Sequence, residues 1–187
     1  MMSNGVNNPS GILFTATGPL FIIFAPLASA ITAPNGIVQK AISTMLGLIG
    51  ADITSDRAIP ALAFLYGFWT FAGSGALSIA GQAMARTAGY DNANPRKHRA
   101  SLDGLPLRLV SAHSALMEIF PLFAVTACLV QVIAPGDQQA RNLVGLHVLL
   151  RIFAYYPGYL AGIPRLRSVS HVLSTSALFR TLWLLTM

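Results

Sequence analysis

Long apolar runs alternate with short polar breaks along this 187-residue chain. One run, residues 58 to 85, carries no charge at all. The next, 108 to 134, begins at Arg108 and holds a single internal charge, Glu118. A third, 141 to 163, begins at Arg141 and holds only Arg151, and a fourth, 168 to 187, holds only Arg180. A membrane-crossing helix needs roughly 20 apolar residues, and each run is long enough. None shows the period-two alternation of a strand. The pattern predicts an all-α integral membrane protein with four spanning helices per protomer.

The first 57 residues break this rhythm. Nothing from Met1 to Gln39 is charged. Residues 11 to 33 (GILFTATGPLFIIFAPLASAITA) are long enough to span, yet they contain Pro19 and Pro26. Proline is tolerated in a membrane helix when neighbours satisfy the freed carbonyls. The segment is therefore either a fifth spanning helix or a kinked helix lying across the bundle. Residues 36 to 50 (GIVQKAISTMLGLIG) predict a short interfacial helix. The chain divides into an apolar N-terminal extension, 1 to 57, and a four-helix domain, 58 to 187. The N-terminus lacks the basic start of a signal peptide.

Composition agrees with lipid as the solvent. Hydrophobic residues make up 54% of the chain and charged residues 10%, against roughly 25% charged in soluble domains. The net charge of +6 would suit nucleic acid, but its placement suits membrane orientation better. Arg86, Arg96, Lys97 and Arg99 follow the first long run, and Arg165 and Arg167 follow the third. Both connections fall on one side, which the positive-inside rule places in the cytosol. No nucleic-acid partner is expected. Cys128 is the only cysteine, so no intrachain disulfide can form, and its apolar setting predicts a packed thiol. His98, His113, His147 and His171 are scattered without metal-ligand spacing, and no metal site is expected. Ala72, Ala76 and Ala80 recur at four-residue spacing, which lets helix backbones approach closely in lipid, within one protomer or between two.

The acidic residues locate the candidate chemistry. Glu118 is the only glutamate, and it alone lies inside an apolar run. An ionisable group at the bilayer centre costs roughly 2.5–3.5 kcal/mol even on the lenient insertion scale. Glu118 and Arg151 are each expected to find a counter-charge, either by pairing with one another or by facing a polar cavity. Arg108, Ser111, Ala115 and Glu118 fall on one helix face, and Pro121 predicts a bend just past Glu118. Arg151, Tyr155 and Tyr159 recur every four residues and form a second polar stripe. The two stripes predict a hydrophilic notch open to cytosol and lipid. His113 is either a second acid or base, or a histidine packed on the opposite face.

The stretch AHSALMEIFPLF, residues 112 to 123, resembles the second-helix signature of the MAPEG family, the membrane-associated proteins of eicosanoid and glutathione metabolism. YDNANPR, residues 90 to 96, is similar to the first cytosolic loop of fungal members. YYPGYLAGIPRLRS resembles the family's third-helix tyrosine pair and following turn, and RTLWLL, residues 180 to 185, resembles its fourth helix. The likeness covers residues 58 to 187; the preceding 57 resemble nothing in the family. The resemblance implies a homotrimer in the endoplasmic reticulum membrane. It implies sites between protomers, where glutathione meets a lipophilic small-molecule substrate. Glu118, Arg167 and Tyr155 would be catalytic. Arg108, Ser111, Ala115, Arg151 and Tyr159 would lie at cofactor-binding positions. Two positions depart from the family pattern. Ala115 stands where the family carries asparagine, and Ser111 where it commonly carries arginine. Arg151 stands one place from the usual third-helix arginine. These departures leave open two chemistries, a glutathione-dependent transferase or isomerase and a glutathione-independent isomerase or cyclase of secondary metabolism. A non-catalytic membrane partner, in which Glu118 and Arg151 merely pair, is the third reading.

Overall fold

The computed structural model describes residues 18–187, and among these there is no strand. Six helical segments follow one another: α1 (Leu20–Ile31), α2 (Ile37–Gly47), α3 (Ala58–Met84), α4 (Gly104–Ile133), α5 (Gln138–Leu160) and α6 (Pro164–Leu184). Three of them, α3, α4 and α5, are long and apolar enough to cross a membrane. The fourth run forms α6, whose 21 residues would extend about 32 Å at 1.5 Å per residue. Length is therefore sufficient, but α6 is too polar to count with the other three. Its hydroxyls explain how it packs nonetheless. Ser170, Ser174 and Thr181 bond back to carbonyls of their own helix. Together with Thr175 and Ser176 they are buried, while Val169, Phe179 and Trp183 face outward.

The centre of the bundle is α5. Every residue from Ala140 to Val148 is buried, and α1, α2, α3, α4 and α6 all contact it. Its start is fixed by Asp137, whose carboxylate accepts from the Gln139 and Ala140 amides at 2.8 and 3.1 Å, an N-cap that satisfies two otherwise orphaned donors. It ends in a Schellman turn. The Ile163 amide reaches the Gly158 carbonyl at 2.9 Å, the Gly162 amide reaches Tyr159 at 3.2 Å, and Gly162 takes φ +66°. Pro164 then opens α6, where its missing N–H costs nothing. This turn sets Tyr159 and Arg167 beside one another.

The N-terminal residues wrap the opposite end of α5. Gln139 donates to the Thr32 hydroxyl and the Ser29 carbonyl, and Asn142 donates to the Thr32 carbonyl and to Gln39. Arg141 reaches the Thr54 carbonyl at 2.6 Å and Asp56 at 2.9 Å. The helix expected between residues 36 and 50 forms as α2, and its buried face of Gln39, Ile42, Met45 and Leu46 lies in the core. The described part of the 11-to-33 run is α1, interrupted at Phe24 and packed along α6. Its twelve residues would extend about 18 Å, short of a crossing; residues 11 to 17 lie outside the described residues.

Two further expectations change. Cys128 is exposed, not packed, because it lies on the outer face of α4 with Val125 and Val132. Ala72, Ala76 and Ala80 are exposed as well, so this stripe faces away from its own protomer. Pro121 sits inside α4 without ending it.

The α2–α5 contact is tight enough to test. A Cβ on Gly145 would lie 2.7 Å from Ile42 Cδ1 and 2.9 Å from its Cγ2. Gly145→Val should destabilise the protein by about 1–3 kcal/mol through overpacking. Adding Ile42→Ala should restore part of the loss, both read from thermal unfolding in detergent.

Candidate functional site

At the end of the bundle that carries the basic loops, α4 and the last turn of α5 enclose an open groove of about 440 Å³. Ser111, Ala115 and Glu118 line it from α4, and Tyr159 lines it from α5. Leu107 and Val110 add an apolar wall. Four of the sequence-predicted positions therefore meet in one hollow. Helical spacing is the reason, since 111, 115 and 118 share a face of α4 and the Schellman turn holds Tyr159 against it.

The other predicted residues stand behind or beside the groove. Arg108 lies against the α5–α6 turn, its Nη1 3.3 Å from where a Cβ on Gly162 would be. Its Nε is buried without a hydrogen-bond partner among the described residues. Arg167 lays its guanidinium over the Tyr159 ring at 5.0 Å. Tyr159 meets Tyr155 edge-on at 5.8 Å, and Arg151 lies 4.6 Å above the Tyr155 ring. These four side chains form a ladder from the groove into the interior. Each cation–ring contact contributes about 0.5–2 kcal/mol, more where water is excluded.

Arg151 is not a groove residue, and it does not pair with Glu118. It is 0% exposed, turned into the bundle towards α6. Its Nη2 donates to His171 Nδ1 at 3.1 Å and to the Thr175 hydroxyl at 3.0 Å. A guanidinium has donors only, so His171 accepts at Nδ1 and carries its proton on Nε2. The ion pairs among the described residues are Arg86–Asp91, His98–Asp91 and Arg141–Asp56. None involves Glu118, which is exposed to the groove. Tyr155, expected to be catalytic, is 5% exposed and stands behind Tyr159.

A five-residue π turn, Arg151 to Tyr155, interrupts α5 at this point. Such turns are rare and concentrate at functional sites. A π turn closes on the fifth residue instead of the fourth, so it takes up one extra residue. Pro157, two residues on, cannot donate to the Phe153 carbonyl, which loosens the helix just where it widens.

Two groove residues escaped the sequence reading. Ser114 lines the groove, and its spacing from Ser111 and Glu118 would have placed it there. Arg99 reaches the groove from a short 3-10 turn, Arg99–Ser101. Nothing local in the sequence marks it, because a loop residue is brought there only by the fold. The loop is pinned by Asp91, which accepts from the Asn94 amide at 3.0 Å. That bond, chiefly, holds the Asp91 carboxyl below the usual range, with Arg86 and His98 adding to it.

The MAPEG family model matches residues 59–187. The chain belongs to the MAPEG family. No curated protein and no solved structure matches it. The match covers the domain that carries the groove and begins just after the segment wrapping the far end of α5. Membership makes this MAPEG protein an integral membrane protein of a glutathione-related transferase and isomerase family.

The separation of Glu118 from Arg151 predicts unequal mutants. Glu118→Gln should leave the melting temperature nearly unchanged. Arg151→Ala should lower stability by about 2–4 kcal/mol, because it leaves a cavity and strips His171 and Thr175 of a buried donor. Equal losses in the two variants, measured by thermal unfolding in detergent, would contradict the placement.

Proposed function

We propose that this MAPEG protein brings glutathione and a lipophilic small molecule together in the groove at Glu118, as a transferase or isomerase. It does so as a homotrimer in the endoplasmic reticulum membrane, with α3 to α6 crossing and the basic loops in the cytosol. The observation that carries the reading is the meeting of Glu118, Ser111, Tyr159 and Arg99 in one hollow beside an apolar wall. Its volume falls within the range of small-molecule pockets.

The side chains suit the tripeptide. Arg99 and Arg108 each hold a buried Nε without a partner among the described residues, and arginine binds carboxylates in a forked geometry. Glu118 faces the groove with no cation within salt-bridge distance among the described residues, so it is available to an ammonium group. Arg167, steadied on the Tyr159 ring, stands at the groove's edge. A cation near a thiol favours the thiolate. Glutathione, when bound, supplies a thiolate nucleophile to a lipid-soluble electrophile. Tyr155 and Arg151 act from behind, fixing the ring on which Arg167 rests.

The second reading rests on Ala115 and Ser111. A lost hydrogen bond to a charged group typically removes about 1.5–3 kcal/mol, and two such losses weaken binding by roughly a hundredfold or more. The groove wall they leave is smaller and less cationic. It suits a bulkier neutral guest, rearranged without glutathione, with Glu118 as general acid.

Calorimetry on detergent-solubilised protein separates the two. Under the first reading, glutathione binds at millimolar concentration or tighter, and Arg108→Gln weakens it about tenfold or more. Absence of glutathione binding, together with thiol-free turnover of an isoprenoid or polyketide, would establish the second. Under either reading Glu118→Gln assembles normally and loses activity; full activity in that variant would contradict both.

A further inference from the structure

A trough of about 200 Å³ runs between α1 and α6. Ile22, Ala25 and Pro26 line it from α1, and Phe179, Arg180 and Trp183 from α6. An adjoining hollow of about 440 Å³ shares Ile22, Phe179 and Trp183 with it, so the two form one depression. The larger part falls within the range of small-molecule pockets. No lining residue is shared with the groove at Glu118. Arg180 lies about 20 Å along α6 from Arg167, at 1.5 Å per residue. One wall, α1, comes from residues ahead of the family match, so the trough is a feature of this chain's extension.

Arg180 is the one charged group on these walls. Its Nε donates to Ser29 Oγ at 2.8 Å. Ser29 is itself tied, because its carbonyl accepts from Gln139 at 3.1 Å and from the Thr32 hydroxyl at 3.2 Å. The guanidinium is thereby held from α1. A guanidinium carries five N–H donors, and those on Nη1 and Nη2 of Arg180 meet no acceptor among the described residues. No ion pair there includes Arg180. The chain has six acidic side chains, and all of them lie among the described residues. No side-chain carboxylate of this chain therefore neutralises Arg180. Ile22 and Trp183 are exposed, so the trough opens to the outside of the protomer. A cation among apolar walls in a membrane protein requires a counter-charge, and here it must come from a guest.

We propose that this trough binds a lipophilic monocarboxylic acid, a single-chain amphiphile drawn from the membrane. Its carboxylate sits on the fork of Arg180 Nη1 and Nη2, and its chain lies along Ile22, Phe179 and Trp183. The fork matches the two oxygens of a carboxylate. A single trough between two helices receives one chain, whereas a phospholipid brings two. Trp183 beside Arg180 suits the amphiphile's head, since tryptophan favours the membrane–water boundary. No bond is made or broken. The site stands independently of the glutathione reading, and its test uses no thiol.

The test uses the full chain in phosphatidylcholine nanodiscs, with 9,10-dibromostearate as the probe, because bromine quenches tryptophan fluorescence at short range. The chain has two tryptophans, Trp69 and Trp183, and Trp183→Phe removes the one in the trough, so the difference isolates its signal. Dibromostearate should quench Trp183 saturably, and unbrominated stearate should reverse the quenching. The methyl ester, which enters the same bilayer without a charge, should quench only in proportion to its mole fraction. Arg180→Gln should weaken dibromostearate binding about fivefold or more. Ala25→Phe, which fills the trough and leaves Arg180 in place, should do the same. Should Arg180→Gln fail to fold, the comparison of acid with ester on the wild type decides. Absence of saturable quenching, equal behaviour of acid and ester, or equal affinity in wild type and either variant would overturn the proposal. So would quenching reversed by dioleoylphosphatidic acid and not by stearate, which would assign the trough to a phospholipid.

Discussion

A guanidinium sealed inside a membrane bundle must be solvated by the protein, because neither water nor lipid will do it. Arg151 sets that requirement for this fold. Its exposure is 0%, and no carboxylate among the described residues lies within salt-bridge range. What it has instead is His171 and Thr175 as acceptors and the face of Tyr155. His171 and Thr175 on the inner face of α6 answer it, while Ser170, Ser174 and Thr181 there bond their own helix. A helix presenting only leucine towards α5 would leave the cation without acceptors, at a cost of several kcal/mol. Two of the polar residues of α6, His171 and Thr175, are thus explained by its neighbour.

The same residue shapes the groove without touching it. Arg151 orders Tyr155, Tyr155 meets Tyr159, and Tyr159 carries Arg167. Arg151 takes its acceptors from α6 through Nη2, while its Nε and Nη1 find none among the described residues, and Glu118 is not drawn inward to pair with it. A charge-pair scaffold would have closed the bundle over both groups. The arrangement found here leaves Glu118 exposed to the groove, with Arg99 on the same lining and no ion-pair partner among the described residues.

How much of this was legible depended on the type of information each feature needs. The spans α3, α4 and α5 were readable because length and apolar continuity are local properties. The shared face of Ser111, Ala115 and Glu118 was readable because helical rotation is fixed at 3.6 residues per turn. Whether Glu118 pairs with Arg151 or faces a cavity could not be read, because it depends on how each helix is rotated about its own axis. A π turn at Arg151 changes that rotation, and no local composition announces it. Arg99 was missed for a related reason, as its place at the groove follows from loop geometry alone. Cys128 was misread because an apolar run looks the same whether it faces protein or lipid.

The N-terminal segment answers a constraint of the same kind at the other end of α5. The first turns of that helix carry Gln139, Arg141 and Asn142, and lipid could not satisfy them. Thr32, Gln39, Ser29, Thr54 and Asp56 do so, all from residues ahead of the family match. Polar groups on α5 and the segment that meets them therefore belong together: removing either leaves the other buried and unpaired, which costs more than losing both. The contact also reaches the cation's own shell, for Phe21 sets its ring edge-on to His171 at 5.7 Å. The extension thus packs against the histidine that accepts from Arg151, the cation on which the Tyr155 ring rests.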